Sequence, residues 1–426
     1  MPYVRNLVYL LILILISPWL VVTALTKGKY RQGFAEKFLG LVAHFPATGI
    51  ACPRRRIWLH AVSVGEVNLL EPLLQELEQR YPDWEYVIST TTKTGHKLAR
   101  QKYSRYPIVY CPLDFSWAVK TALRRIKPDL FVLVELELWP NLIHYASKVC
   151  PVTIINGRLS ESSAKGYKRL GLFIRPTIRK LTHIAVQNQQ YADRFEEIGA
   201  SQQQLTVTGS IKFDGAESNP DNPKTLELRR LAGIADDDIV LLVGSSQVEE
   251  EELCLDYFKT HLDTFPQLKL ILVPRHPERF NEVAGMCQQT GIPFVRRSAM
   301  ESGNHANIRL LLIDVIGELG AWWGLTNIAF VGGSLGSRGG QNMIEPAAYG
   351  ATVSFGPNTW NFKDIVELIL QHQAAKVIYS REQFEEFVRW CIESPEQAAA
   401  MGQAAAELVA DQQGATGKTV DILSYL

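Results

Sequence analysis

Carboxylate side chains suited to acid–base chemistry follow apolar strands in the first half of the chain. Glu66 closes the segment 58–66 (WLHAVSVGE), in which a predicted strand turns into a helix. The positive end of a helix dipole stabilises a carboxylate, so we expect Glu66 to be ionised at neutral pH and able to accept a proton. The same position also suits a helix cap that takes no part in chemistry, and the residues alone leave that interpretation open.

A second acidic pair, Glu135 and Glu137, follows the predicted strand 129–134. Strand alternation predicts that both side chains lie on the same face of the sheet. Trp139-Pro140 then begins a helix, because proline is tolerated at a first helical position. Ligands of open α/β sheets bind at the carboxyl ends of strands, which favours a functional role for this pair over a purely structural one.

The second half of the chain carries residues suited to binding an anionic ligand. A strand at 327–331 runs into a glycine-rich turn (Gly332 to Gly340) and then into a helix that contains Glu345. Glycines allow backbone N–H groups to approach a ligand, and a helix N-terminus attracts an anion. Glu345 is predicted to accept two hydroxyls, as a ribose offers. Arg275, after the apolar run 270–273, has a planar fork suited to phosphate or carboxylate.

Short apolar runs alternate with amphipathic stretches on both sides of the polar segment 217–224, which resembles a linker. The alternation predicts two parallel sheets with helices on both faces, each with its ligand crevice at the strand carboxyl ends. We predict a membrane anchor at 1–26 and two Rossmann-like domains, at 27–208 and at 209–426. The helical C-terminus from Glu396 is expected to pack back on the first domain.

Composition excludes several classes of protein. The chain has 426 residues with 44 Lys and Arg against 44 Asp and Glu, so no bulk charge indicates nucleic-acid binding. The cysteines are far apart and lack a CxxC pair, which predicts free thiols in a reducing compartment. They are Cys52, Cys111, Cys150, Cys254, Cys287 and Cys391.

The N-terminal segment from Leu7 to Thr26 carries no charge and is long enough to cross a hydrocarbon core of ~30 Å. No small-x-small cleavage site follows it, which argues against a cleaved signal peptide. The segment is followed by Lys27, Lys29, Arg31 and Lys37 and preceded only by Arg5 and the amino terminus, which predicts that the rest of the chain lies in the cytoplasm. Arg54–Arg56 is expected to add positive charge on the membrane side of the molecule. An in-plane anchor is the open alternative to a spanning helix.

Five blocks of the sequence, in order, resemble the 3-deoxy-D-manno-octulosonic acid (Kdo) transferases, which add Kdo from CMP-Kdo to a lipid A precursor. The blocks are HAVSVGE (60–66), ELELWPN (135–141), TGSIKFD (208–214), VPRHPERF (273–280) and the glycine-rich stretch 332–345. The resemblance covers nearly the whole chain. It implies the GT-B architecture, with an acceptor-binding Rossmann-like domain at 27–208 and a CMP-sugar-binding one at 209–426 that face a cleft. It also implies an inner-membrane enzyme with these domains on the cytoplasmic side.

The resemblance also implies roles for individual residues. Glu66 matches the general base of an inverting transfer, and Glu135 and Lys212 match groups that stabilise the transition state. CMP is expected at Pro274, Arg275, Ile316, Gly317, Glu318, Asn342, Met343, Ile344 and Glu345. No metal or other cofactor is expected. The chain departs from the family at Gln247, where relatives usually carry histidine.

Two other functions stay open at this point. One is a membrane-associated GT-B transferase that uses a different nucleotide-activated sugar. The other is a catalytically silent, membrane-tethered nucleotide-binding protein. The joint presence of Glu66, Glu135, Lys212 and Arg275 argues against the second, because a scaffold has no need of all four.

Overall fold

The computed structural model describes residues 2–27, 32–45, 55–300, 305 and 307–426. They form two compact units, Met1–Gly215 with Gln413–Leu426 and Ala216–Gln412, called here the first and second unit. Residues 209–215 and 413–426 therefore group with the first unit, whereas the predicted boundary assigned them to the second domain. The assignment of acceptor and donor binding to the two domains stays a prediction.

The first unit is built on a seven-stranded, wholly parallel sheet with the order β3-β2-β1-β4-β5-β6-β7. The strands are β1 (Arg56–His60), β2 (Glu85–Thr90), β3 (Ile108–Tyr110), β4 (Leu130–Val134), β5 (Val152–Gly157), β6 (His183–Val186) and β7 (Leu205–Val207). Its helices are α1 (Pro2–Lys27), α2 (Phe34–Leu39), α3 (Val64–Arg80), α4 (Lys93–Lys102), α5 (Ser116–Ile126), α6 (Pro140–Ala146), α7 (Glu161–Arg169), α8 (Gly171–Ile178) and α9 (Gln189–Glu197).

The second unit repeats this plan with the order β10-β11-β9-β8-β12-β13-β14. The strands are β8 (Ile239–Ser246), β9 (Leu268–Pro274), β10 (Phe294–Arg296), β11 (Leu310–Leu312), β12 (Ile328–Val331), β13 (Thr352–Phe355) and β14 (Ala375–Val377). The helices are α10 (Pro223–Ala232), α11 (Val248–Thr260), α12 (Phe280–Gln289), α13 (Leu319–Trp323), α14 (Ile344–Ala348), α15 (Lys363–Gln371), α16 (Arg381–Glu393) and α17 (Pro395–Gln412), and α18 (Ala415–Tyr425) returns to the first unit.

The central strands are apolar along their whole length because helices cover both faces of each sheet. β4 reads LFVLV and every residue in it is buried, as parallel sheets require. One layer of the first core contains Trp58 and Phe131, whose ring centroids are 4.3 Å apart. The predicted parallel sheets with helices on both faces are therefore confirmed.

The C-terminal helices divide between the units. The hydroxyl of Thr352 in β13 donates to the Ala398 carbonyl of α17 at 2.8 Å, which fixes α17 on the second unit. After Gly414, at φ 93°, α18 packs on α3, where Arg80 contacts Asp421 at 2.6 Å. The expectation that the chain packs on the first domain from Glu396 on is thus wrong for α17, and it holds for α18.

Two sequence predictions concern buried thiols and the N-terminus. Cys111, Cys150, Cys254, Cys287 and Cys391 are free and buried, as predicted. Among the described residues, only α1 is long and apolar enough to cross a membrane. The sixth cysteine, Cys52, lies outside the described residues. The same holds for three of the predicted basic residues, Lys29, Arg31 and Arg54.

Candidate active site

Glu66 lies at the third position of α3, directly after the carboxyl end of the central strand β1. Its carboxylate accepts hydrogen bonds from the Val62 N–H at 2.7 Å and from the Ser63 hydroxyl at 2.8 Å. The side chain thus caps the start of the helix, as one sequence interpretation allowed. Each oxygen still has a lone pair available after these two bonds, so capping and proton transfer are compatible.

The pKa of Glu66 is higher than its position at a helix N-terminus would suggest. Burial raises the pKa of Glu66 to about 7, with a further rise from the charges of Glu135 and Glu137, and the two hydrogen bonds only partly oppose this. The stabilisation of the carboxylate that we expected from the helix N-terminus is therefore outweighed by desolvation. A pKa near neutrality suits a group that must both accept and release a proton.

Glu135 follows the last residue of β4 in a left-handed conformation, at φ 59°. A non-glycine residue in that region costs of order 1–3 kcal/mol, and such strain is concentrated at functional sites. The turn ends the extended conformation, so the alternation predicted for Glu135 and Glu137 does not reach them. The Nζ atom of Lys212 lies 3.5 Å from a Glu135 carboxylate oxygen. The structure thus brings Glu135 and Lys212 together and places their charges near Glu66.

Glu137 is tied to its neighbour rather than to Lys212. Its carboxylate accepts a hydrogen bond from the Trp139 indole N–H at 2.5 Å, and burial raises its pKa. This contact fixes Glu137 at the start of α6. Its role is therefore positional, with its charge acting on Glu66 from nearby.

Asn156 is a residue that the sequence prediction missed. It lies in β5 at φ 52°, fully buried, and its side-chain oxygen accepts the Ile211 N–H at 3.1 Å. Its Nδ2 atom is buried and has no partner among the described residues. Because Ile211 precedes Lys212, Asn156 positions the turn that carries the lysine. Its location in an Asn-Gly pair at a strand end was the available signal.

In the second unit, the glycine-rich turn after β12 surrounds an internal carboxylate. Glu250 is fully buried and accepts the N–H groups of Gly333 at 2.8 Å, Ser334 at 2.9 Å and Leu335 at 3.1 Å. A Cβ atom on Gly332 would lie 2.7 Å from a Glu250 oxygen, so glycine is required there. These three N–H groups are therefore not available to a ligand anion, and anion binding by the other N–H groups of the turn stays a prediction.

The helix after this turn is shorter than the prediction assumed. α14 has five residues, too few for a strong dipole at its N-terminus. Asn342 donates to Glu345 at 3.0 Å, and burial raises the pKa of Glu345 while the nearby positive charge of Arg275 lowers it. Arg275 and Glu345 thus lie close enough to interact, at the ends of two strands. Met343 and Ile344 are buried beside them.

Gln247 borders the same region, at the carboxyl end of β8. Its side chain accepts the Glu250 N–H, while the Gln247 N–H donates to the Glu250 carboxylate at 2.9 Å. The Gln247 Nε2 atom is buried and lacks a hydrogen-bond partner among the described residues. Gln247, which departs from the family pattern, therefore has a buried side-chain N–H group without a partner among the described residues, in the region predicted to bind the nucleotide sugar.

The Ile316-Gly317-Glu318 turn is exposed at Ile316, and Gly317 adopts φ 91°. The Glu318 carboxylate is fully engaged: it accepts both Nε and Nη2 of Arg297, at 2.8 and 2.9 Å, and lies 3.1 Å from Lys224. These charges lower its pKa. The backbone of this turn, and not the Glu318 side chain, is therefore available to a ligand. Pro274 ends β9 and is buried.

Comparison with known proteins identifies the family. A family model described as 3-deoxy-D-manno-octulosonic-acid transferase (kdotransferase) matches residues 31–215. The 3-deoxy-D-manno-octulosonic acid transferase of Haemophilus influenzae is 33% identical over 398 residues, which are 93% of this chain and 91% of the relative. The chain belongs to the Kdo transferase family. The corresponding enzyme of Bordetella pertussis is 30% identical, with 96% of this chain and 95% of the relative covered.

A solved structure supports the fold independently of sequence. The UDP-GlcNAc 2-epimerase of Neisseria meningitidis, bound to UDP-GlcNAc, aligns at a TM-score of 0.55 and 13% identity over 87% of this chain and all of that chain. At this identity the likeness concerns the fold alone. Together with the two parallel seven-stranded sheets, it confirms the predicted GT-B class for this Kdo transferase family member. Membership of the family makes the chain a glycosyltransferase.

Proposed function

We propose that the protein transfers Kdo from CMP-Kdo to a lipid A precursor of the lipid IVA type, inverting the configuration at the anomeric carbon, with Glu66 as general base. The observation that carries this proposal is the Glu66 carboxyl: mostly buried, with a pKa of about 7, beside the charges of Glu135 and Glu137. The identity of the transferred sugar is inferred from family membership. The general base and the nucleotide-binding residues are inferred from the chemistry of the two sites.

In the proposed reaction the acceptor hydroxyl oxygen attacks the anomeric carbon of Kdo and its proton passes to Glu66. The bond from that carbon to the phosphate oxygen breaks at the same time, and CMP leaves with the electron pair. Lys212, held 3.5 Å from Glu135, contributes positive charge that opposes the negative charge growing on the phosphate. Such general-base catalysis contributes typically ~10²–10⁴-fold to a rate.

We assign CMP binding to the second unit, with Arg275 as the cation for phosphate and Glu345 as the acceptor for ribose hydroxyls. The turns 274–275, 316–318 and 342–345 supply the backbone around the nucleotide. Because the N–H groups of residues 333–335 already bind Glu250, phosphate binding is assigned to Arg275 and not to these three groups.

The acceptor is a phosphorylated lipid, which requires the enzyme to work at a membrane. The apolar helix α1 supports attachment to the inner membrane, with the catalytic units on the cytoplasmic side. Exposed aromatic residues of the first unit, Phe34, Trp117 and Trp139, add apolar surface. Aromatic side chains of this kind are typical of a membrane interface.

The deciding experiment incubates purified protein with CMP-Kdo and a tetra-acylated lipid A precursor and determines product mass. A gain of one or more Kdo units, with CMP released in equal number, supports the proposal and gives the number of units. Transfer from a UDP-sugar but not from CMP-Kdo would favour the alternative GT-B transferase. CMP binding without any transfer from either donor would favour the catalytically silent nucleotide-binding protein.

A further inference from the structure

The first turns of α1 are fixed to the first unit by a buried polar cluster. Asn6 is only 7% exposed, and its side chain donates to the Ser116 hydroxyl at 2.6 Å. Its oxygen accepts the Ser116 N–H at 3.0 Å and the Asn141 side-chain N–H at 3.2 Å. The side chain of Asn6 therefore ties the helix to the first residues of both α5 and α6.

Tyr9, one turn later, extends the same cluster. Its hydroxyl donates to Asp114 at 2.9 Å, and its ring meets Phe115 edge-on at 6.1 Å. The Asp114 carboxylate also accepts the N–H groups of Asn141 at 3.0 Å and Leu142 at 2.7 Å. Buried polar contacts of this kind belong to a packed protein surface, because lipid hydrocarbon offers no such partners.

The segment that follows α1 returns to the same part of the unit. Glu36 accepts the Tyr110 N–H at 2.6 Å, and the Tyr110 hydroxyl donates to Gln32 at 3.5 Å. The Trp117 indole donates to the Phe38 carbonyl at 3.0 Å. Both flanks of α1 are thus held at the carboxyl edge of the first sheet, between the end of β3 and the start of α5.

The spacing of these attachment points decides the topology of the helix. Tyr110 contacts Gln32 and Glu36 after α1, and Asp114 contacts Tyr9 near the start of α1. Four residues of fully extended chain span at most ~14 Å. A hydrocarbon core of ~30 Å cannot lie between two points that close. The two flanks of α1 are therefore on the same side of any bilayer that the helix enters.

Beyond Tyr9, most of the apolar side chains of α1 are exposed, although Thr23 near its end is buried. Between Arg5 and Lys27 the helix has no charged residue, and Ile14, Leu15 and Trp19 are 66%, 79% and 60% exposed. From Tyr9 to Lys27 the helix rises ~27 Å, while the five residues from Lys27 to Gln32 reach at most ~18 Å. Because the chain must return to the first unit within five residues of the end of the helix, the helix lies tilted within a single leaflet.

We propose that α1 is a monotopic anchor, immersed in the facing leaflet of the bilayer and returning to the side it entered from. Its occupant is lipid, because an uncharged helix that is exposed to this extent has no other favourable solvent. The anchor holds the carboxyl edge of the first sheet, where Glu66 lies, at the membrane surface. This last consequence rests on the proposed function, which supplies a lipid acceptor.

The test is the location of the two termini in membranes of cells that produce the full chain. One form carries an uncharged epitope tag with a protease site before Met1, and a matched control carries it after Leu426. Protease is added to spheroplasts and, separately, to inside-out vesicles. We expect both tags to be cut only in the inside-out vesicles, in a membrane fraction that resists a high-salt wash.

Two results would overturn the proposal. Cleavage of the N-terminal tag in spheroplasts, with the C-terminal tag protected, would show that α1 spans the membrane. Recovery of the full chain in the high-salt wash would show that α1 is not immersed in lipid. Neither readout needs Kdo transfer, so the topology result can be interpreted even if the proposed function fails. Likewise, a failure of the topology proposal does not contradict the proposed function.

Discussion

In each unit, the helix after a central strand carries a carboxylate three residues after its capping residue, but the surroundings of the two carboxylates differ. In the first, β1 leads to Ser63 as helix cap and to Glu66 three residues later; in the second, β8 leads to Gln247 and Glu250 in the same relation. Glu66 has two hydrogen-bond donors and two acidic neighbours. Glu250 has four backbone donors. One carboxyl can therefore exchange a proton with a ligand, and the other is occupied with holding a loop.

The comparison shows that the position of a carboxylate in a fold does not fix its chemistry. Both groups are buried by similar turns at the end of a central strand. The number of donors that reach each one, and the charge around it, decide whether it can react. The following changes separate the two roles.

We expect Glu66→Gln to have the largest effect on transfer. The amide keeps the size of the side chain but cannot accept the proton, so the rate should fall at least ~10²-fold. CMP affinity, measured by calorimetry, should stay within about twofold because the residues proposed to bind CMP are in the second unit. Glu71→Gln, an exposed change on the same helix, is the matched control and should keep full activity. A Glu66→Gln variant with more than a few per cent of the activity would leave Glu66 as a cap only.

Glu250→Gln should instead cost stability. The amide group can replace only one of the two carboxylate oxygens as acceptor, which leaves two buried N–H groups unpaired, at about 1–3 kcal/mol each. We expect the free energy of unfolding of the second unit to fall by about 3 kcal/mol in urea denaturation. The neighbouring exposed change Glu249→Gln should have little effect. Equal stability of the two variants would contradict the role of Glu250 in holding residues 333–335.

Arg275→Ala and Glu345→Ala should weaken CMP binding while the fold is retained. Loss of a charge-assisted contact costs about 1.5–3 kcal/mol, roughly tenfold to a hundredfold in affinity. Calorimetric titration with CMP measures the effect, and Arg338→Ala, an exposed change in the nearby loop, serves as control. Unchanged affinity in both variants would remove the nucleotide from this part of the second unit.

The sequence predicted the sheets well and the details of the sites less well, for a physical reason. Apolar runs such as LFVLV identify a buried parallel strand locally, so β4 was predictable. The partners of Glu250 are more than 80 residues away in the chain, so its occupation of the glycine loop was not. The left-handed turn at Glu135 likewise has no signal in its residue type. The raised pKa of Glu66 depends on burial and on Glu135 and Glu137, which only the folded chain brings near.

The pH dependence of transfer is the smallest of the expected effects, and it tests the role of Glu66 as a base most directly. A base must be deprotonated to act, and burial sets the pKa of Glu66 at about 7. The single-turnover rate should therefore rise about tenfold between pH 6 and pH 8 and then level off, as expected for one ionisation with that pKa. Glu135→Gln removes a neighbouring negative charge, which favours the ionised form of Glu66, so the midpoint should move to lower pH. Glu137→Gln removes the second neighbouring negative charge and should move the midpoint in the same direction. A profile that stays flat across this range, or a midpoint that neither variant moves, would assign the proton to another group.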